Sequence, residues 1–114
     1  MEQLVMFEEI PKEEWYSKTV TELKKYPAMK LAVDAADLQD DQEHLEKKRK
    51  KVKLIELALS PLTPEERQII ELSYFTRHKQ KDVYIQRQVG MAHSCFYDTK
   101  DEVMRHIATV LNIL

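Results

Sequence analysis

The sequence predicts an all-α protein. Its 114 residues include one glycine and four prolines, which leaves little material for tight turns or β-hairpins. Charged residues make up 33% and hydrophobic residues 43% of the chain, a mixture typical of amphipathic helices. This length is typical of one domain with a modest core, and we expect four or five helices.

The first helix is expected to begin directly after Pro11, because proline fits the first turn and acidic residues follow it. Trp15 and Leu23 belong to a loose apolar stripe along this helix. Pro27 lacks a backbone donor and clashes with the carbonyl four residues earlier. We therefore expect the helix to break or kink near Tyr26.

Residues 28–59 contain neither glycine nor proline and predict one long helix. An apolar residue recurs in it every seven positions. The positions three residues further on, which a coiled coil would also fill with apolar residues, are mostly charged. This half seam fits either an amphipathic helix lying on the domain's own core or a weak coiled coil that forms a homodimer. The basic run 47–53 is either a solvated face or a supplementary phosphate contact. The seam residues are Leu31, Leu38, Leu45, Val52 and Leu59.

The stretch SPLTPEER, residues 60–67, marks the start of a new helix. Thr63 can cap it with its hydroxyl, Pro64 suits the first helical position, and Glu66 can reach back to the cap amide. This helix should bury Ile69 and Ile70 and end in the polar TRHKQK. We therefore divide the chain into an N-terminal helical arm with a long charged helix, residues 1–60, and a C-terminal unit, residues 61–114.

Gly90 lies between two further helical patterns and is expected to adopt the left-handed conformation of a sharp turn. The spacing of the apolar residues around it is that of a helix-turn-helix, in which they hold two helices at a fixed crossing angle. A structural corner between two helices remains the alternative. The four apolar residues are Ile85, Val89, Met91 and Phe96.

The second helix of this unit should begin near Ala92 or His93 and present its outer face to a DNA major groove. We expect His93, Ser94 and Tyr97 to read base edges. The phosphate contacts are expected from Lys79, Lys81, Arg87, Lys100 and Arg105. The net charge is only −2, and Asp98, Asp101 and Glu102 on the second helix oppose phosphate binding.

Two parts of the chain resemble known transcription proteins. LSPLTPEERQIIELSYF, with the glycine turn and VMRHIATVL after it, resembles the promoter-reading fourth region of sigma factors. VTELKKYPAMK before a long charged segment, together with GMAHSCFYDTKDEVM, resembles the ArpU family of phage regulators, which is related to RinA-type activators. The resemblance implies a sigma-like protein of the bacterial cytoplasm that binds promoter or operator DNA and regulates phage or prophage late genes. Because a weakly charged monomer would bind DNA poorly, we also expect either a homodimer or contact with RNA polymerase.

Other classes of function have little support in the sequence. One glycine cannot build a phosphate-binding loop, and the four histidines are not spaced as metal ligands. The single cysteine, Cys95, has no histidine placed to activate it. We expect no enzyme, no cofactor, no metal and no membrane span. The alternative to a regulator is a helical protein-interaction adaptor, or a phage structural or packaging component, that keeps the scaffold without binding DNA.

Overall fold

The computed structural model describes residues 11–39 and 45–114, and all regular structure in these ranges is helical. The chain forms α1 (Lys12–Gln39), α2 (Glu46–Leu59), α3 (Pro64–Tyr74), α4 (Asp82–Val89) and α5 (His93–Val110). The all-α class and the expected number of helices are confirmed. None of the described helices has the length and apolar character needed to cross a membrane.

The predicted break or kink near Tyr26 does not take the form of a break, because helix α1 continues through Pro27. Leu23 lies before the proline and Met29 and Val33 lie after it, and all three side chains are buried in the core. Burial of each such side chain is worth about 1.5–3 kcal/mol, whereas an internal proline costs about 3 kcal/mol. Tertiary packing on both sides of the proline therefore outweighs the local penalty.

The predicted single helix over residues 28–59 is also wrong, because α1 ends at Gln39 and α2 begins at Glu46. Helix α2 folds back onto α1. Arg49 binds Asp37, and Lys30 lies 3.4 Å from Glu56 across the contact between the two helices. Folding back buries apolar residues of α2 that a continuous helix would leave in water.

The predicted seven-residue seam is consequently split between two environments. Leu31 and Leu38 on α1 are 71% and 90% exposed. Val52 and Leu59 on α2 are buried within the chain's own core. The seam therefore does not form one continuous surface for a coiled coil.

The main core contains residues from both predicted parts of the chain. It joins buried side chains of α1 and α2 to those of α3 and α5, so residues before and after position 60 share one apolar interior. Tyr26 of α1 packs on Phe75, with 4.9 Å between ring centroids, and donates a hydrogen bond to Glu56. The buried members of this core are Trp15, Leu23, Met29, Val33, Val52, Ile55, Ala58, Leu59, Ile70, Val103, Met104, Ile107 and Ala108.

The start of α3 has the predicted capping box. The Glu66 amide donates to the Thr63 hydroxyl at 3.1 Å, and the Thr63 amide donates to the Glu66 carboxylate at 3.0 Å. Pro64 occupies the first turn, and Ile69 and Ile70 are buried as expected. The boundary before α3 is thus set by local chemistry that the sequence displays.

Candidate nucleic-acid interface

Gly90 ends α4 in the left-handed conformation, with φ 71° and ψ 31°, as predicted. Its amide donates to the carbonyl oxygens of Gln86 and Arg87 at 3.0 and 3.2 Å, and the Met91 amide donates to Gln86 at 3.3 Å. A Cβ at this position would meet no atom within 4 Å. The residue is therefore required for its backbone conformation rather than for close packing.

A second, smaller apolar cluster fixes α4 and α5 to α3. Ile69, Ile85 and Phe96 are fully buried in it. Val89 and Met91, on either side of the glycine, pack against this cluster. The four apolar residues around the turn therefore pack into one cluster, and α3 supplies the surface on which they meet.

The N-terminal end of α5 is exposed at the predicted base-reading residues. Its N-cap, Ala92, makes no side-chain cap hydrogen bond. His93 and Ser94 are exposed, and Tyr97 is 36% exposed. The Tyr97 ring lies 4.8 Å from His93 and 5.1 Å from Phe96, measured between centroids. Contact with buried Phe96 orients the tyrosine, while its hydroxyl end remains available for hydrogen bonding.

Lys100 is not on this outer face, so its predicted phosphate contact is wrong. The residue is 7% exposed, and its ammonium donates to Asp82 at 2.9 Å. The same ammonium lies 5.4 Å from the ring centroid of Tyr74 and 5.9 Å from that of Phe96. Lys100 therefore connects α5 to the first turn of α4, where Asp82 also complements the helix dipole.

The remaining predicted phosphate contacts lie in two places. Lys79 and Lys81, in the loop before α4, and Arg87 on α4 are all exposed. Arg105 lies on α5 about 18 Å beyond His93 along the helix axis. Its guanidinium carbon is 5.1 Å from the Trp15 ring centroid, so α1 holds this side chain. The loop and α4 therefore supply the accessible cations nearest the turn.

The acidic residues on α5 differ in their surroundings. Asp98 and Glu102 are exposed, which keeps negative charge on the outer face. Asp101 pairs with Lys12 of α1 at 2.7 Å. This partner, 89 positions away in the chain, offsets one of the charges that oppose phosphate binding, and no local pattern in the sequence reveals it.

Arg77 is an exposed cation in the same loop that the sequence interpretation did not select. The signal that could have found it is the basic run from Arg77 to Lys81, in which basic and polar residues alternate.

Within residues 11–39 and 45–114, no three His, Cys, Asp or Glu side chains are grouped closely enough to hold a metal ion. Comparison of the chain with models of known protein families, with curated proteins and with solved structures gives no match.

Proposed function

We propose that the chain is a DNA-binding transcriptional regulator in which α4, the Gly90 turn and α5 act as a helix-turn-helix. The observation that carries this proposal is the exposed start of α5 directly after a left-handed glycine, on a short helix pair anchored by buried Ile85 and Phe96. In such a unit the first residues of the second helix meet base edges in the major groove.

The proposed division of labour follows from side-chain chemistry. His93, Ser94 and Tyr97 carry donors and acceptors at the exposed end of α5, which suits them to base edges. Lys79, Lys81 and Arg87 are exposed cations next to the turn and would neutralise phosphates. Phosphate contacts from the loop and from α4 would then position the protein, while α5 would discriminate between sequences.

The biological setting is proposed from the sequence resemblance alone. It is similarity to ArpU family regulators and to the fourth region of sigma factors that suggests phage or prophage late genes, a bacterial cytoplasm and contact with RNA polymerase. A homodimer would raise the affinity of a weakly charged protein for DNA. Leu31 and Leu38 are the part of the predicted dimer seam that is exposed and would supply apolar contacts.

A second candidate function is a protein-interaction adaptor that keeps the scaffold without binding DNA. Two observations favour it. Asp98 and Glu102 are exposed on α5, and Lys100, the lysine between them in the sequence, is buried. Val83 and Tyr84 on α4 are also 53% and 51% exposed and would offer apolar contacts to a protein partner.

The decisive experiment is a fluorescence anisotropy titration of the full chain against labelled duplexes from the DNA that flanks its gene. Titrations are repeated over a range of salt concentrations, with a scrambled duplex of equal length. Arg87→Gln and Lys81→Gln should each weaken binding and reduce the slope of log affinity against log salt by about 0.9. Tyr97→Ala should reduce discrimination between the two duplexes and leave the salt slope unchanged.

Lys18→Gln is the matched control, because it removes one exposed positive charge from α1, which the proposal does not place on DNA. It should leave both affinity and salt slope unchanged. Equal affinity for flanking and scrambled duplexes, with equal losses in the Lys18 and Arg87 variants, would refute specific recognition. Absence of binding at micromolar protein, together with capture of a defined protein partner, would favour the adaptor.

A further inference from the structure

A groove of about 580 Å³ lies where the loop before α4 meets α1 and α5. The groove has Tyr16 and Val20 of α1 on one side and Tyr74 of α3 on the other. Ligand sites in proteins commonly enclose about 300–1,000 Å³ and combine apolar walls with a few polar groups. The groove is therefore large enough for a small molecule or for one phosphodiester unit of a nucleic acid.

The charge around this groove is strongly positive, although the whole chain carries a net charge of −2. Lys24, Arg77 and Lys79 line it as exposed cations, and Lys100 lines it together with its partner Asp82. Because Lys100 and Asp82 neutralise each other, the three exposed side chains determine the sign of the local potential. Cations on separate elements, α1 and the loop, converge on one space and favour an anion there.

Two polar atoms in the lining need a hydrogen-bond partner. The Ser73 hydroxyl and the Gln80 side-chain oxygen are both buried, and neither has a partner among the described residues. A buried polar group without a partner costs about 1–3 kcal/mol, so native structures rarely leave two together. The hydroxyl can rotate, and a side-chain amide can present either its oxygen or its NH₂ group.

Tyr74 adds a further donor to the same space. Burial raises the pKa of its phenol, and nearby Tyr16 raises it further. A tyrosine phenol is neutral at physiological pH even without this shift, so it does not repel an anion. Ser73 and Tyr74, both at the end of α3, line the groove.

We propose that this groove binds a phosphate ester. Lys24, Arg77 and Lys79 would pair with the phosphate oxygens, and Ser73 and Gln80 would complete the hydrogen bonds. Phosphate is preferred to a carboxylate because it offers more acceptor oxygens to three separate cations and to the two polar groups. The ester comes either from a free nucleotide or from the backbone of bound DNA. The proposal does not require the base contacts proposed for α5.

The test is an NMR titration of the ¹⁵N-labelled full chain with inorganic phosphate and with adenosine monophosphate. We expect saturable shifts of the amides of residues 73–80, and of Lys24 on α1. Lys24→Gln and Arg77→Gln should each weaken binding about fivefold, as expected for one exposed charge-assisted contact. Ser73→Ala should weaken it about threefold, because it removes only a neutral hydrogen bond.

Lys18→Gln again serves as the charge-matched control and should change the affinity for phosphate less than twofold. Thermal unfolding of each variant checks that the fold is retained. A linear, unsaturable shift, or equal weakening by Lys18→Gln and Lys24→Gln, would overturn the proposal, because either result indicates a diffuse ion atmosphere.

Competition then identifies the source of the phosphate. If a duplex displaces adenosine monophosphate from the groove of the wild-type chain, the ester belongs to the DNA backbone. If adenosine monophosphate binds at least tenfold tighter than inorganic phosphate and a duplex does not displace it, the ester belongs to a free nucleotide. If phosphate, nucleotide and duplex all fail to shift the amide signals of residues 73–80, the proposed phosphate site is refuted. Loss of sequence discrimination by Tyr97→Ala would still support the α5 proposal in that case.

Discussion

Replacement of Lys100 by methionine tests whether the contact between Lys100 and Asp82 stabilises the α4 and α5 arrangement. Methionine retains most of the buried stem and removes the ammonium. The Lys100 side chain is 9% exposed and that of Asp82 is 36% exposed, with 2.9 Å between nitrogen and oxygen. The variant thus leaves a carboxylate that water reaches in part.

The expected magnitude follows from two opposing terms. At 2.9 Å and an effective dielectric constant of about 20, the attraction is about 6 kcal/mol. Desolvation of a nearly buried ammonium costs several kcal/mol and cancels most of this attraction. Because Asp82 remains partly hydrated in the variant, we expect Lys100→Met to lower the free energy of unfolding by about 1–2 kcal/mol, below the 3–5 kcal/mol of a fully buried pair.

The measurement is urea denaturation followed by circular dichroism for Lys100→Met, Asp82→Asn and the double variant. The cycle should give a coupling free energy of about 1–2 kcal/mol. Lys12→Met is the control, because the pair of Lys12 with Asp101 is also short, at 2.7 Å, but its side chains are 56% and 47% exposed. It should cost less than about 1 kcal/mol. A Lys100 to Asp82 coupling within about 0.3 kcal/mol of zero would refute the reasoning.

Four further substitutions or conditions have defined outcomes. Gly90→Ala should lower the free energy of unfolding by about 1–2 kcal/mol in urea denaturation, since only the left-handed backbone is strained and no clash arises. Thr63→Ala should cost about 1 kcal/mol by the same measurement, because it removes the capping hydroxyl of α3. Pro27→Ala should stabilise the protein by about 1–3 kcal/mol by restoring an amide donor in α1; destabilisation would contradict this. Burial, followed by the Glu56 contact, raises the pKa of Tyr26 to about 12, and burial also raises that of Tyr74. The folded-state pKa of Tyr26 exceeds its ordinary value of 10.0, so its contribution to stability is present below pH 10 and should be lost as pH rises through about 12; that of Tyr74 falls in the same direction. Urea midpoints and tyrosinate absorbance measure both effects.

The features that the sequence predicts correctly are those set by neighbouring residues. The capping box at Thr63 and Glu66 requires only one helical turn of correct side chains, and the structure has both hydrogen bonds. The turn at Gly90 requires one residue that tolerates a positive φ, and the chain has a single glycine to offer. Local chemistry of this kind leaves a signature that no distant residue changes.

The errors arise where distant contacts decide. Pro27 indicates a helix end by local rules, but buried Leu23 and Val33 on either side hold α1 in one piece. Residues 28–59 have the propensity of one helix, yet α2 folds back because burial of Val52 and Ile55 requires a partner surface. In both cases helix propensity, worth tenths of a kcal/mol per residue, competes with burial worth several times more.

Lys100 and Asp101 show how the same contacts change the charge available to a partner. Counted from the sequence, the start of α5 carries one lysine against two aspartates and one glutamate between positions 98 and 102. The fold withdraws Lys100 into its pair with Asp82 and neutralises Asp101 with Lys12. Asp98 and Glu102, which have no salt-bridge partner among residues 11–39 and 45–114, then remain on the outer face of this segment.

Helix α5 is therefore a poor source of phosphate affinity, and the accessible positive charge nearest the Gly90 turn lies in the loop before α4 and on α4. The proposed base reading by α5 and the proposed phosphate contacts from the loop and α4 are separable, because different elements would carry them. A DNA-binding protein of this kind would gain affinity from Lys79, Lys81 and Arg87 and would keep α5 for discrimination. The exposed acids on α5 would then weaken binding to non-specific DNA, because their repulsion of phosphates is offset only where base contacts form.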